Sequence, residues 1–386
     1  MRCVTSPADR EVDTIDPVTG LSHPMLMFGS NNYLGLANHP YVIQRISRAL
    51  RDFGAGIGGP PLLNGYTLLH AELERQLAQF KGTDDALVFS SGYGANVGLV
   101  TGLMNPTDVV LYDAYSHASF CDGVKMAGVR SYRFPHNDLA QLEKLLRSHT
   151  SPDHDTYVGV EGVYSMDGDV APLDRLVPLC EAYGAILILD DAHGTGVMGK
   201  TGHGTAEYFG VEGRIPITMG TFSKTFAVSG GFVAGQKRVV DYLRFFARSH
   251  MFSASLPPMV IAAVLGGLDV LRNEPDRLQR LRDNVSYAAA GLQSIGFQVH
   301  PDAAIIPLTV PAGMDIRRAG RLFHERGVFL NSIEYPAVPI SQQRFRVSMM
   351  ATHTFDDIDV LIDTIDRIWH DERVGELVPV TLCEHT

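Results

Sequence analysis

One pattern repeats through the first half of the chain and limits what it can fold into: a short, almost unbroken apolar run, a polar cluster, then a helical stretch. Residues 86–89, 109–112, 156–160 and 185–189 are the runs, and apolar residues recur at helical spacing in stretches such as 138–149 and 173–183. A strand that is apolar on both sides has no solvent face, and strands joined by helical crossovers lie parallel. The expected fold class is therefore α/β, a large and mostly parallel sheet covered by helices on both faces. In such sheets ligands bind beyond the carboxyl ends of the strands, which is where the polar clusters fall.

From about residue 270 the texture changes. A charged helical stretch (275–294) precedes short strand candidates at 298–299, 305–310, 328–330 and 344–349, with helical stretches at 316–326 and 355–369. At 386 residues the chain is long for one core, and two domains are expected. The expected organisation is a polar N-terminal arm at 1–39, a large domain at 40–270 and a smaller α+β domain at 271–386.

The formal charge of −11 disfavours general binding to nucleic acid or to an anionic membrane surface. Cys3, Cys121, Cys180 and Cys383 are scattered without metal-ligand spacing. The first 20 residues lack the apolar core of a signal peptide, and the most apolar helical stretch, 259–271, contains Asp269 and is too short to cross a bilayer. A reduced, cytoplasmic protein with no metal site and no membrane span is expected.

Two glycine-rich stretches match phosphate-binding patterns in letters only. Gly54-Ala55-Gly56-Ile57-Gly58-Gly59 reads G-x-G-x-x-G, yet a helical stretch precedes it and Pro60-Pro61 follows. A dinucleotide fingerprint needs a strand before it and a helix after it. The stretch from Gly194 to Thr201 reads G-x-x-x-x-G-K-T, but Gly202-His203-Gly204 continues as loop where a helix must open.

The chemistry lies elsewhere. Gly220-Thr221-Phe222-Ser223-Lys224 follows the apolar, β-branched run 215–219, and the chain has only six lysines against 26 arginines. An amine held at the end of a buried strand loses hydration, sheds its proton and becomes a nucleophile toward carbonyls, as a Schiff-base lysine must. A pyridoxal phosphate site asks for four further groups, and the chain offers candidates for them. Backbone N–H groups of the Gly92-Tyr93 turn, with Thr221 and Ser253, suit the phosphate. Asp190 suits the pyridine nitrogen, His117 can stack on the ring, and His193 and Ser165 suit the ring hydroxyl.

The same clusters carry a family resemblance. Asn31-Asn32-Tyr33-Leu34-Gly35-Leu36, Ser91-Gly92-Tyr93, Ser116-His117-Ala118-Ser119, Asp190-Asp191-Ala192-His193-Gly194 and Gly220-Thr221-Phe222-Ser223-Lys224 resemble the α-oxoamine synthases. So does the stretch from Tyr335-Pro336-Ala337-Val338-Pro339 through Arg344-Phe345-Arg346 to Ala351-Thr352-His353-Thr354. The likeness runs from about residue 25 to 370, and its details look nearest to the bacterial serine palmitoyltransferase-like members. It implies a pyridoxal phosphate-dependent transferase of fold type I, a homodimer with its active site at the subunit interface. It also implies condensation of an amino acid with an acyl thioester, carried by coenzyme A or an acyl carrier protein, usually with loss of carbon dioxide.

By the same resemblance Lys224 is the Schiff-base lysine, Asp190 the pyridinium partner, and His117 the stacking residue that also meets substrate. His193 and Ser165 contact the ring. Gly92, Tyr93 and Thr221 hold the phosphate, which Ser253 and Ala254 approach from the other subunit. Asn31 lies near the substrate and Arg346 binds its carboxylate, a task that suits a guanidinium fork. Two departures matter: where the family usually carries a serine and an arginine, this chain has Pro60-Pro61, so an arginine near the thioester or substrate is expected to be missing; and the N-terminal stretch is short, without a helix that the family commonly has. The rival readings are an aminotransferase or aldolase of the same fold and a non-catalytic partner subunit. Retention of Lys224, Asp190, His117 and Arg346 speaks against the last.

Overall fold

The computed structural model describes residues 3–16, 19–335, 338–371 and 374; Pro336, Ala337 and Cys383 lie outside them. Two compact units form, one from Asn31–Ser165 with Asp169–Gln279, the other from Met1–Ser30, Met166–Gly168 and Arg280–Thr386. The chain passes between them inside the helix Pro275–Ser294, whereas a cut at 270/271 would cross the helix Pro258–Asn273.

The first unit is built on a seven-stranded sheet. Its order is Asp85–Phe89, Gly231–Gly235, Ile217–Thr221, Ile186–Asp190, Thr156–Glu161, Val109–Asp113, Arg130–Phe134. Gly231–Gly235 runs antiparallel to both neighbours and every other pair is parallel. Successive strand residues point to opposite faces. Ile188 accordingly packs in the cluster holding Leu99, Val100 and Phe120, while Leu187 and Leu189 join Leu146, Leu176 and Val177. Both faces are covered, so the run must be apolar throughout, and each fully buried aliphatic side chain contributes about 1.5–3 kcal/mol. The register brings three strand ends side by side: Glu161 is the Cα partner of Asp190, and Asp190 that of Met219, two residues before Thr221.

Several elements of this unit escape the sequence reading, among them the short helical turns Pro61–Gly65, Thr205–Tyr208 and Arg248–Met251. Arg130–Phe134 is an edge strand, exposed except at Phe134, and its Arg-Ser-Tyr-Arg-Phe pattern carries no buried face to announce it. Ala118–Ala127 is a helix with His117 as its N-cap, where only a polar cluster was expected. The stretch Gly194–Thr201 is a series of turns, with no helix opening at Lys200.

In the second unit, residues 1–23, expected as an arm, supply strands. Cys3–Val4, Glu11–Ile15 and Ser22–Met27 pair antiparallel in series, and Ser22–Met27 lies parallel to Val328–Phe329. Val12 and Thr14 are buried between exposed Glu11 and Asp13, a two-residue alternation that the polar composition masks. A second sheet joins Ile305–Thr309, Arg344–Ser348 and Asn331–Ile333, all antiparallel. Residues 298–299, expected as a strand, have no regular structure.

Candidate active site

The strand ends and the helix N-termini beside them line one cleft, which includes Ser91, Gly92, Tyr93, Asn96, His117, Ser119, Glu161, Asp190, Thr221, Ser223 and Lys224. Six of the site residues read from the sequence thus meet in one place: Gly92, Tyr93, His117, Asp190, Thr221 and Lys224.

One end of the cleft is built for an anion. Ser91 caps the helix Gly92–Leu103, its Oγ accepting from the Gly94 N–H at 2.9 Å. The opening amides of a helix have no intrahelical acceptor, and the macrodipole favours negative charge in front of them. The helix also sits hard against the sheet: a Cβ on Gly92 would fall 2.7 Å from Thr221 Oγ1. Glycine is required there by close approach. Thr221 Oγ1 donates to the Gly230 carbonyl at 3.0 Å and lies 2.9 Å from Ser223 Oγ.

At the floor, Asp190 is buried and held by two donors. Asn96 Nδ2 donates to Asp190 Oδ2 at 2.7 Å, and the Ala192 N–H donates to Oδ1 at 3.1 Å. Asn96 is fully buried and spends its second N–H on Ser119 Oγ at 2.9 Å. Ser119 Oγ lies 2.7 Å from His117 Nδ1, which also accepts from the Ser119 N–H at 3.2 Å. Nδ1 is therefore an acceptor, and the ring proton of neutral His117 sits on Nε2. Burial lowers the His117 pKa; Asp190 opposes that shift and Lys224 adds to it. An uncharged imidazole is what can lie against an aromatic ring without importing a second charge.

Next to Asp190, Glu161 is buried and its Oε1 has no hydrogen-bond partner. Burial and then the adjacent Asp190 push its pKa well above the usual carboxylate range, against the pull of Lys224. Asp191 points elsewhere. It forms a buried ion pair with Lys81 at 2.8 Å and accepts from Thr205 Oγ1 at 2.6 Å, which pins the turn carrying Ala192 and His193.

The remaining sequence candidates are not among the residues that line this cleft. His193 Nδ1 lies 2.7 Å from the hydroxyl of buried Tyr33, which donates to Asn31 Oδ1 at 3.3 Å. Ser165 follows the Thr156–Glu161 strand at the edge of its unit. Ser253 and Ala254 border a different, small cavity with His70, Glu74, His250 and Ser255. Arg346 is buried at the centre of the Arg344–Ser348 strand of the other unit. Sequence reasoning missed Asn96, Ser119 and Glu161. Glu161 could have been found, since it ends a buried strand as Asp190 does; the link from Asn96 through Ser119 to His117 needs the packing of two helices.

The aminotransferase class I and II family model matches residues 23–365. The chain is 41% identical to the 4-hydroxy-2,2′-bipyrrole-5-methanol synthase PigH of Serratia sp. over 355 residues, 92% of this chain but 54% of PigH; it spans about half the length of that relative. It is 39% identical to a serine palmitoyltransferase of Bacteriovorax stolpii over 347 residues, 90% of this chain and 83% of the relative. It is 38% identical to an 8-amino-7-oxononanoate synthase of Lysinibacillus sphaericus over 344 residues, 89% and 88% of the two chains. Among solved structures, serine palmitoyltransferase of Sphingomonas wittichii superposes with a TM-score of 0.89 at 32% identity, covering 95% of this chain and 91% of that one. The enzyme of S. paucimobilis, solved with a PLP adduct, gives 0.88 at 32% identity, with 95% and 92% covered.

Proposed function

Because the chain belongs to the aminotransferase class I and II family, and within it to the α-oxoamine synthases, we propose that it condenses an amino acid with an acyl thioester to give an α-amino ketone. A carbon–carbon bond forms between the amino acid's α-carbon and the acyl carbonyl carbon, the thiol departs, and carbon dioxide is lost from the amino-acid carboxylate. The cofactor is pyridoxal 5′-phosphate. When bound, it supplies an electron sink for charge developing at the α-carbon.

The observation that carries this reading is the convergence in one cleft of a carboxylate, an amine and an anion-ready helix N-terminus: Asp190, Lys224 and Gly92 packed on Thr221. These residues fit the cofactor. The helix amides at Gly92 and Tyr93, with Thr221, hold its phosphate. Asp190, held in place by the Asn96 and Ala192 donors, would face the ring nitrogen, and His117 would lie against the ring. His193 and Ser165 contact the ring, while Ser253 and Ala254 serve the phosphate across a homodimer interface. Lys224 Nζ would hold the cofactor at its aldehyde carbon and would serve as the base for the amino acid's α-proton. Arg346 binds the amino-acid carboxylate, and Asn31 lies beside the substrate. No helix among the described residues is long and apolar enough to cross a membrane, and a cytoplasmic setting agrees with scattered cysteines.

The test is release of free thiol from acyl-CoA and acyl carrier thioesters, with single amino acids supplied in turn. Thiol release that depends on one amino acid, with a new α-amino ketone, is expected. Transfer of the amino group to an oxo acid without thiol release would replace this reading with an aminotransferase.

A further inference from the structure

His136 and Asn137 stand just beyond the edge strand Arg130–Phe134, and the scheme above gives them no part. The His136 side chain is only one-fifth exposed and lies between two carboxylates: Nδ1 is 3.0 Å from Asp113 Oδ1, and Nε2 is 2.8 Å from Asp169 Oδ2. An ionised carboxylate can only accept, so both ring nitrogens donate and the ring is an imidazolium. The two carboxylates belong to different loops. Asp113 ends the strand Val109–Asp113 and accepts from the Tyr115 N–H at 2.8 Å and the Asn137 N–H at 2.9 Å. Tyr115 in turn stacks on His136, with ring centroids 4.2 Å apart. Two residues further on is His117, in the cleft. Asp169 lies in a hairpin that leaves the strand Thr156–Glu161: Val163 bridges to Val170, and the Tyr164 N–H donates to the Asp169 carbonyl at 2.9 Å. The outgoing arm turns the edge of Tyr164 against His136 at 4.4 Å, and the next residue is Ser165.

The bonds within the hairpin join its arms to each other and leave its angle to the sheet open. His136 fixes that angle. It grips one arm through the Asp169 carboxylate and the other through the Tyr164 ring, while its opposite edge is fastened to Asp113. Asn137 adds a second grip, its Nδ2 donating to Asp169 Oδ2 at 3.0 Å and to the Val170 carbonyl at 3.3 Å. We propose that His136 is a positioning residue for the cofactor: it locks the hairpin that carries Ser165 to the turn that carries His117, so that the two side chains meet the pyridoxal ring together. His136 is not among the residues that line the cleft, and no proton moves through it. The inference rests on the cofactor reading above and extends it by one residue.

Dissociation constants for pyridoxal phosphate, read from its absorbance on binding to the apoprotein, test this in a double-mutant cycle. Ser165→Ala removes one ring contact and should weaken binding about fivefold. His136→Gln frees the hairpin and should weaken it at least as much. The double variant should bind within about twofold of His136→Gln, because a serine already out of place has no contact left to lose. A His136 that served stability alone would leave the two sites independent, and the losses would multiply to about 25-fold or more. Asp169→Ala releases the hairpin while His136 stays on Asp113, and it should give the same cycle whether or not His136→Gln folds. Either variant binding as tightly as wild type, losses that multiply with Ser165→Ala, or Ser165→Ala without effect would each overturn the proposal while leaving the cofactor reading intact. A wild-type protein that takes up no cofactor would remove both.

Discussion

Asn96 is the residue whose loss tests the site's internal wiring most directly. It is fully buried, and its amide spends one N–H on the Asp190 carboxylate at 2.7 Å and the other on Ser119 Oγ at 2.9 Å. The amide cannot turn round, because its oxygen would then face a carboxylate. Asn96→Ala removes one hydrogen bond to a charged acceptor and one neutral bond, which together amount to about 2–4 kcal/mol of stability. Asn96→Asp keeps the volume but sets a second carboxyl against Asp190. It should be the less stable of the two at neutral pH and recover as acid neutralises the new group. Urea denaturation of the apoproteins, followed by circular dichroism at neutral and mildly acidic pH, reads both effects. An Asn96→Ala protein within about 0.5 kcal/mol of wild type would refute the network, because surface-like tolerance is incompatible with a carboxylate losing a buried donor.

Other outcomes follow from the same geometry. Lys224→Ala should abolish the yellow absorbance of bound pyridoxal phosphate and reduce turnover by several orders of magnitude; retained full turnover in the thiol-release assay would remove Lys224 from the chemistry. Lys81→Met strands Asp191 without its buried counter-ion and should destabilise the protein by about 3–5 kcal/mol, measured by the same denaturation. His136 is partly buried, which opposes its charge, but Asp113 at 3.0 Å and Asp169 at 2.8 Å raise its pKa to about 9. A raised folded-state pKa gives stability that is fully present below the unfolded value and is lost as pH rises through the folded one. The thermal midpoint gap between wild type and His136→Gln should therefore be widest below about pH 6.5 and close as pH passes about 9. A gap that is constant with pH would mean the ring is neutral throughout.

What was legible in the sequence depended on how much each element buries. The strands 86–89, 109–112, 156–160 and 185–189 are covered on both faces, which forces an apolar run, and they emerge within a residue or two of their ends. Arg130–Phe134 and Glu11–Ile15 bury one face or less, and their polar letters read as loop. The site divides the same way. Lys224, Asp190 and Gly92 end or follow buried strands, so position along the chain is enough to find them. Asn96 and Ser119 act only through each other, across two helices, and no spacing rule links residues 23 positions apart. Glu161 is the intermediate case: its place at a strand end was visible, but its protonation follows from the neighbour that register supplies.

Register also bears on the second substrate, through Pro60-Pro61. At the place where the family resemblance leads one to expect a serine and an arginine, Pro61 opens a single helical turn, Pro61–Gly65, closed by the Gly65 N–H on the Pro60 carbonyl at 2.9 Å. The residue before the turn is tied to a distant segment by the Ser255 N–H on the Gly59 carbonyl at 3.1 Å, and Leu63 within the turn is 81% exposed. Two prolines offer no cation and no N–H to a phosphate. An arginine–phosphate contact contributes about 1.5–3 kcal/mol, a factor of roughly 10 to 150 in discrimination. Without it, a coenzyme A thioester should have no such advantage over the pantetheine thioester of the same acyl group, and the two kcat/KM values should agree within about threefold. Proline at the first helical position gives up an N–H that had no partner in any case, so Pro61→Arg should leave the turn standing. That variant should raise the preference for coenzyme A by about tenfold, with the pantetheine value unchanged. A wild-type protein that already prefers coenzyme A by more than tenfold would show that a cation from elsewhere takes the missing arginine's place, and would refute the argument from Pro60 and Pro61.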